Sequence, residues 1–233
     1  MNFLRSFLDN ESKFGQLMTR VGILIAANLT FLLFSIPVIT IGPAWTALHY
    51  TMLKTLRERE INPFTTFWQG FRENFRESLL AEVVFVAAAG ILLLELYWCS
   101  QWEGFMRFFQ FGLFAILAMV VTTGIYLFPV AAAFYGGLGQ HLKSSLYFAV
   151  NRLQNMIIIL FVNCVPLALT YIDSRRMPLY AFLWFFIGFA AVAMLTDSLL
   201  LPQFKPFLDS TNEEYVYERT QREILKEMEK LDY

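Results

Sequence analysis

Few residues in this chain could do chemistry, and they are scattered. Three carboxylates, Glu82, Glu95 and Asp197, and two amides, Asn28 and Asn163, interrupt otherwise apolar runs. Ionisable groups in such surroundings mark ion or proton paths, or else ion pairs. Glu82 lies less than a turn inside its run, within reach of Arg72 and Arg76. Glu95 lies one turn from the far end of the same run, and Asp197 about a turn from the end of the last one. All three are peripheral, which favours anchoring or ion pairing over a relay. Asn28 and Asn163 sit near the middle of theirs. Amides at that depth usually bond a neighbouring helix, for about 1 kcal/mol each. Contact with a substrate is the lesser reading.

Other chemistry lacks a carrier. The two histidines, His49 and His141, have no Cys or His at ligand spacing, and two cysteines, Cys99 and Cys164, make neither a metal cluster nor a disulfide framework. The run Gly136-Gly137-Leu138-Gly139 lacks the strand and the lysine of a phosphate loop. There is no H-E-x-x-H and no G-x-S-x-G. No catalytic residue, cofactor or metal is expected, and the protein reads as a non-enzyme. A net charge of −1 gives no reason to expect a nucleic-acid partner.

The elements that position these residues are long and apolar. Hydrophobic residues make up 57% of the 233 and charged residues 16%, and the mean hydropathy is +0.51. A soluble domain carries about a quarter charged residues. Five stretches, roughly 20–41, 79–99, 109–128, 156–170 and 180–200, approach or reach the ~20 residues of a transmembrane helix. They are continuous, not alternating, which excludes a barrel. The fold expected is therefore an all-α integral membrane bundle of about five spans over residues 1–204, with the bilayer as its solvent. The N-terminal residues are too polar for a cleavable signal, and Leu4, Phe7, Leu8 and Phe14 suggest a short interfacial helix.

The longest loop, 42–78, predicts two helices. One covers 44–60 and grows polar toward Lys54, Arg57 and Arg59; Asn62-Pro63 ends it. The next carries Phe64, Phe67, Trp68, Phe71 and Phe75 on one face, with Gln69, Arg72, Glu73, Arg76 and Glu77 opposite. It is expected on the bilayer surface, running into the second span. Pro37 and Pro43 bracket a turn or a broken helix, and the turn is favoured.

Pro129, Ala133 and Tyr135 echo Pro43, Ala47 and Tyr50, and 140–155 reads as a second amphipathic helix with Leu142, Leu146, Ala149 and Leu153 on its apolar face. The pattern fits an internal parallel repeat; chance similarity between apolar helices fits it too. Residues 205–233 form a separate polar tail, in which Tyr217, Ile224, Met228 and Leu231 share a stripe with Gln221. With Phe67, Trp68, Phe71 and Phe75, that stripe is a candidate partner interface.

Within this layout Pro37-Val38-Ile39-Thr40-Ile41-Gly42-Pro43-Ala44, with Asn28-Leu29 before it and Phe67-Trp68-Gln69-Gly70-Phe71-Arg72-Glu73-Asn74-Phe75 after it, resembles the YesL-like family. These are small bacterial integral membrane proteins classed as a domain of unknown function. The resemblance implies no enzyme. It implies an accessory subunit of a carbohydrate ABC importer in the plasma membrane, assisting assembly, stability or regulation through the importer's transmembrane and ATPase subunits. A small transporter or channel acting as an oligomer is the alternative.

Orientation follows from the positive-inside rule. With the N-terminus outside, Lys54, Arg57, Arg59, Arg72, Arg76, Lys143, Arg152, Lys205, Arg219, Arg222, Lys226 and Lys230 face the cytosol, twelve of the 18 Lys and Arg. A cysteine introduced into residues 62–66 should therefore react with an impermeant reagent only after permeabilisation. Labelling of intact cells would reverse the orientation and put the tail outside.

Overall fold

The computed structural model describes residues 13–58, 61–102 and 107–208. The proposed N-terminal surface residues Leu4, Phe7 and Leu8 and the tail stripe Tyr217, Ile224, Met228 and Leu231 lie outside them. Among the described residues the protein is all-α, with no strand. α1 covers Lys13–Phe34, α2 Ile41–Arg57, α3 Pro63–Ser100, α4 Phe109–Ala133, α5 Leu138–Asn151 and α6 Leu153–Ile172. α7 covers Met177–Leu208 and contains a π-turn at Trp184–Gly188. Five of these helices, α1 (from Gly15), α3, α4, α6 and α7, are long and apolar enough to cross a membrane. The expected class, a membrane helical bundle, is the one observed.

Three local expectations change. The first apolar run was read as a span to residue 41, but α1 stops at Phe34. Pro37 disfavours helix for Ile36 and has no N–H to give. The chain instead makes a 3-10 turn at Val38–Thr40, and the Thr40 hydroxyl donates to the Phe34 carbonyl at 2.6 Å.

The aromatic segment runs directly into the second span, as expected. α3 is one unbroken helix of 38 residues, about 57 Å long at 1.5 Å per residue, nearly twice the hydrocarbon thickness. Asn62 caps it by accepting from the backbone N–H groups of Phe64 and Thr65, and Pro63 opens it, where a missing N–H costs nothing.

A second change is that α2, expected as a helix of the polar loop, is a core element, although it does grow polar toward Lys54 and Arg57. Ala44, Ala47, Leu48 and Met52 are fully buried, as are Thr46 and Thr51. Small residues bring helix backbones close enough to pack tightly in a membrane bundle. Gly42, Ala44, Thr46 and Ala47 do this along one stretch of α2. One apolar cluster joins α2 with Ala27 and Phe31 of α1, Phe67 of α3 and Ala190 and Ala193 of α7. A second joins Leu53 with Tyr126 and Val130 of α4, Phe148 of α5, Ile159 of α6, and Leu200 and Phe204 of α7.

A third change is that α5 turns a different face inward from the one expected. The buried residues are His141, Ser145, Phe148 and Ala149, whereas Leu146 and Leu153 are exposed. Only Ala149 of the expected apolar stripe is buried. In a membrane protein an apolar stripe is free to meet lipid, while a polar side chain must find protein.

A close approach of α2 and α3 yields a prediction. A Cβ added at Gly42 would lie 2.7 Å from the Glu82 Cβ and 2.9 Å from the Ser78 carbonyl oxygen. Backbone cannot yield there, so Gly42→Ala should cost about 1–3 kcal/mol. Nothing lies within 4 Å of a Cβ at Gly90, so Gly90→Ala should stay within about 0.5 kcal/mol of the parent. Melting curves in detergent compare the two; equal losses would mean that α2 and α3 are not this close.

Candidate functional site

α2 is held by polar contacts from the helices around it. The Ser78 hydroxyl of α3 donates to Thr46 Oγ1 at 2.8 Å. The Gly42 N–H, in the first turn of α2, donates to Glu82 Oε2 at 3.0 Å. A carboxylate suits a helix N-terminus, where unpaired N–H groups and the helix dipole both attract negative charge. α5 is served the same way, its Leu138 N–H donating to Glu77 Oε2 at 3.1 Å. Glu82 therefore acts as a cap for α2, and neither Arg72 nor Arg76 forms an ion pair with it among the described residues.

Further along α2, His49 Nδ1 lies 2.8 Å from Asp197 Oδ1 of α7. Both side chains are sealed, 2% and 0% exposed. The sequence reading put Asp197 about a turn from the end of the last span. α7 runs on to Leu208, about three turns further, so Asp197 is an interior group. His49 was set aside for lack of a ligand neighbour. Its partner is 148 residues away in the chain, and no local spacing could have pointed to it.

The amides also meet α7. Asn28 Nδ2 donates to the carbonyls of Trp184 and Phe185, at 3.0 and 2.7 Å, and Asn28 Oδ1 accepts from the Ala190 N–H at 2.9 Å. All three partners lie in or beside the π-turn, where the regular backbone ladder is broken. Asn163 Nδ2 donates to the Ile159 carbonyl of its own helix and to Thr196 Oγ1 of α7 at 3.0 Å. Asn163 also borders a mostly apolar cavity of about 290 Å³ with Trp45, Phe85, Gly124 and Phe128. Glu95 is exposed and joins none of these contacts.

The aromatic interface candidates divide. Phe34 of α1 packs on Phe67, Trp68 and Phe71 with ring centroids 5.5, 5.8 and 4.9 Å apart, and Phe71 packs on Phe75 at 5.3 Å. Phe67 is fully buried, whereas Trp68 is 53% exposed.

Where α2 and α4 end beside the first turns of α3, a polar cleft of about 300 Å³ opens. Lys54, Arg57 and Glu58 come from the end of α2, Glu73 and Asn74 from α3, and Tyr135 from just after α4; Tyr50 and Leu53 lie behind them and Leu208 closes one side. Among the described residues, no ion pair joins Lys54 or Arg57 to either glutamate. Burial, reinforced by Glu73, pushes the Tyr50 hydroxyl up to about 12, so it stays a neutral hydrogen-bonding group at physiological pH. A neighbouring hollow of about 530 Å³ shares Phe134 and Tyr135 and adds Gln140, His141, Lys143 and Phe207. Burial lowers the pKa of His141 against smaller opposing effects from the Gly136 backbone and Glu77, which keeps the ring neutral. This charged end of the bundle can bind a polar chain or headgroup. The described residues include no cluster of three His, Cys, Asp or Glu that could hold a metal.

The model of a family described as a protein of unknown function, DUF624, matches residues 24–96, from the middle of α1 nearly to the end of α3. No curated protein and no solved structure matches the chain.

The two amides should differ when removed. Asn28→Leu removes three hydrogen bonds in the interior, at about 1–3 kcal/mol for each group it leaves unsatisfied. Asn163→Leu frees a Thr196 hydroxyl that can turn to its own helix. Asn28→Leu should therefore lower the melting temperature in detergent more than Asn163→Leu does. The opposite order would remove Asn28 from its role at the π-turn.

Proposed function

We propose that the protein is a non-catalytic accessory subunit of the YesL-like kind, which binds a partner protein through the charged cleft where α2 and α4 end beside the first turns of α3. The cleft carries this reading: Lys54, Arg57, Glu58 and Glu73 offer both signs of charge at one rim, without ion pairs among themselves. Glu73 accepts hydrogen bonds from Gln69 and Tyr135, and charges displayed at a rim steer and orient a polar partner. The same end holds Arg72, Arg76 and Lys143, so the Lys/Arg bias supports a cytosolic position for it, with the N-terminus outside and a bacterial plasma membrane as the location.

The partner's identity rests on the resemblance around Pro37–Gly42 and the Phe-rich stretch of α3. On that basis the partner is the transmembrane or ATPase subunit of a carbohydrate ABC importer, and binding assists its assembly, stability or regulation. The second reading, a small transporter acting as an oligomer, is favoured by one observation, the ionisable pair His49–Asp197 inside the bundle. Sugar or ion flux into vesicles containing the protein alone would favour that reading.

Tagged protein should recover the importer subunits in mild detergent. Reversing Lys54 and Arg57 to Glu should cut that recovery by roughly tenfold or more, equivalent to about 1.4 kcal/mol, while membrane insertion is unchanged. Recovery of the tagged protein alone would overturn the proposal.

A further inference from the structure

The cavity beside Asn163 lies among spanning helices, apart from the charged cleft. Its volume of about 290 Å³ is enclosed by α2, α3, α4, α6 and α7, and no charged residue lines it. An apolar hole of about 150 Å³ already takes up benzene. The walls are pinned. The Trp184 ring donates from Nε1 to Thr170 Oγ1 at 2.9 Å and packs on Phe189, with centroids 4.8 Å apart. Trp45 is held edge to face by Phe31 and His49, at 5.3 and 5.4 Å. Phe85 lies against the bare Cα of Gly124, where a Cβ would collide with its ring. Cys164 and Leu167 of α6 border the cavity and are exposed, so it opens toward the bilayer.

One polar group gives the cavity its chemistry. Asn163 lies near the middle of α6, about 15 Å from the helix start at 1.5 Å per residue. Its Nδ2 donates to the Ile159 carbonyl and to Thr196 Oγ1, which fixes the direction of the amide. Thr196 is fully buried, so the Nδ2 edge faces the interior. Oδ1 accepts from no described residue and is not sealed; it is the polar edge left to the cavity. An amide oxygen without a donor is costly in hydrocarbon. A water needs about two to four polar partners, and the indole N–H of Trp184 is already engaged. An acyl chain fills the volume but brings no donor. A charged headgroup finds no counter-charge among the lining residues.

We propose that this cavity binds an uncharged aliphatic alcohol drawn from the bilayer, its hydroxyl donating to Asn163 Oδ1 and its chain lying among Trp45, Phe85 and Trp184. The alcohol enters past Cys164 and Leu167. The pinned aromatic walls leave the site formed before the ligand arrives, as small-molecule sites usually are. The site shares no residue with the charged cleft and does not depend on what the cleft binds.

The test uses the full chain in lipid nanodiscs. The chain has 5 tryptophans, and Trp68→Phe, Trp98→Phe and Trp102→Phe leave Trp45 and Trp184 as the only indole reporters. The probe is undecanol brominated at its far end, whose bromine quenches indole fluorescence; the matching bromoundecane is the control at equal mole fraction in the bilayer. Quenching by the alcohol should saturate, and half-saturation should need roughly fivefold less alcohol than alkane, the gain from one hydrogen bond. Unbrominated undecanol should relieve the quenching. Asn163→Leu should bring the alcohol to the level of the alkane. Equal quenching by alcohol and alkane would overturn the proposal and mark the cavity as filled by ordinary lipid chains. Quenching that rises without saturating, or a preference for the alcohol that survives Asn163→Leu, would overturn it too. The comparison of alcohol with alkane alters no cavity residue, so it decides the matter even if Asn163→Leu fails to fold.

Discussion

Inside an apolar bundle, every backbone group that leaves the helical ladder must find its partner in the chain itself. That constraint organises this protein. α7 breaks its ladder at Trp184–Gly188, and Asn28 of α1 repairs the break with three hydrogen bonds. α2 begins inside the protein, and Glu82 of α3 accepts from the Gly42 N–H in its first turn. In water either repair could be left to solvent. Here each repair ties one helix to another, so α1, α2, α3 and α7 are fixed relative to one another by the irregularities of their backbones as well as by packing.

The same constraint explains what the sequence disclosed and what it hid. The spans were legible because a bilayer demands about 20 apolar residues in a row, and few other structures do. The burial of α2 was hidden because its charged end, Lys54, Arg57 and Arg59, suggests solvent, and Thr46, His49, Thr51 and Thr55 carry no apolar signal. In this bundle those residues face protein, while Leu146 and Leu153 face outward. The usual inference from apolar to buried reverses when the surroundings are lipid. Glu82 and Asp197 were recognised as candidates, but their partners, Gly42 and His49, are set by helix packing over long separations and leave no spacing to read.

Interior and surface are joined by α2. Trp45 and His49 meet edge to face with ring centroids 5.4 Å apart, deep in the protein. One turn later Leu53 and Lys54 already line the open cleft. α2 contacts α1, α3, α4 and α7, so whatever occupies the cleft touches the end of the one helix that the others surround. Lys54 and Arg57 at the rim and His49 of the buried pair stand on this one helix, so a displacement at the rim would be felt at the pair.

The order in which the chain is made gives the His49–Asp197 contact another meaning. A ribosome delivers α2 early, and α2 is too short and too polar to be held by lipid alone. Its histidine must wait while 148 further positions are synthesised before its carboxylate partner emerges, and the Asn28 amide waits longer still for Ala190. During that interval the early helices hold unmatched polar groups beside the lipid. The newborn protein therefore depends on the insertion machinery, or on transient water, until α7 arrives to close the core. Quality control that recognises exposed intramembrane polarity would have its longest opportunity at this stage.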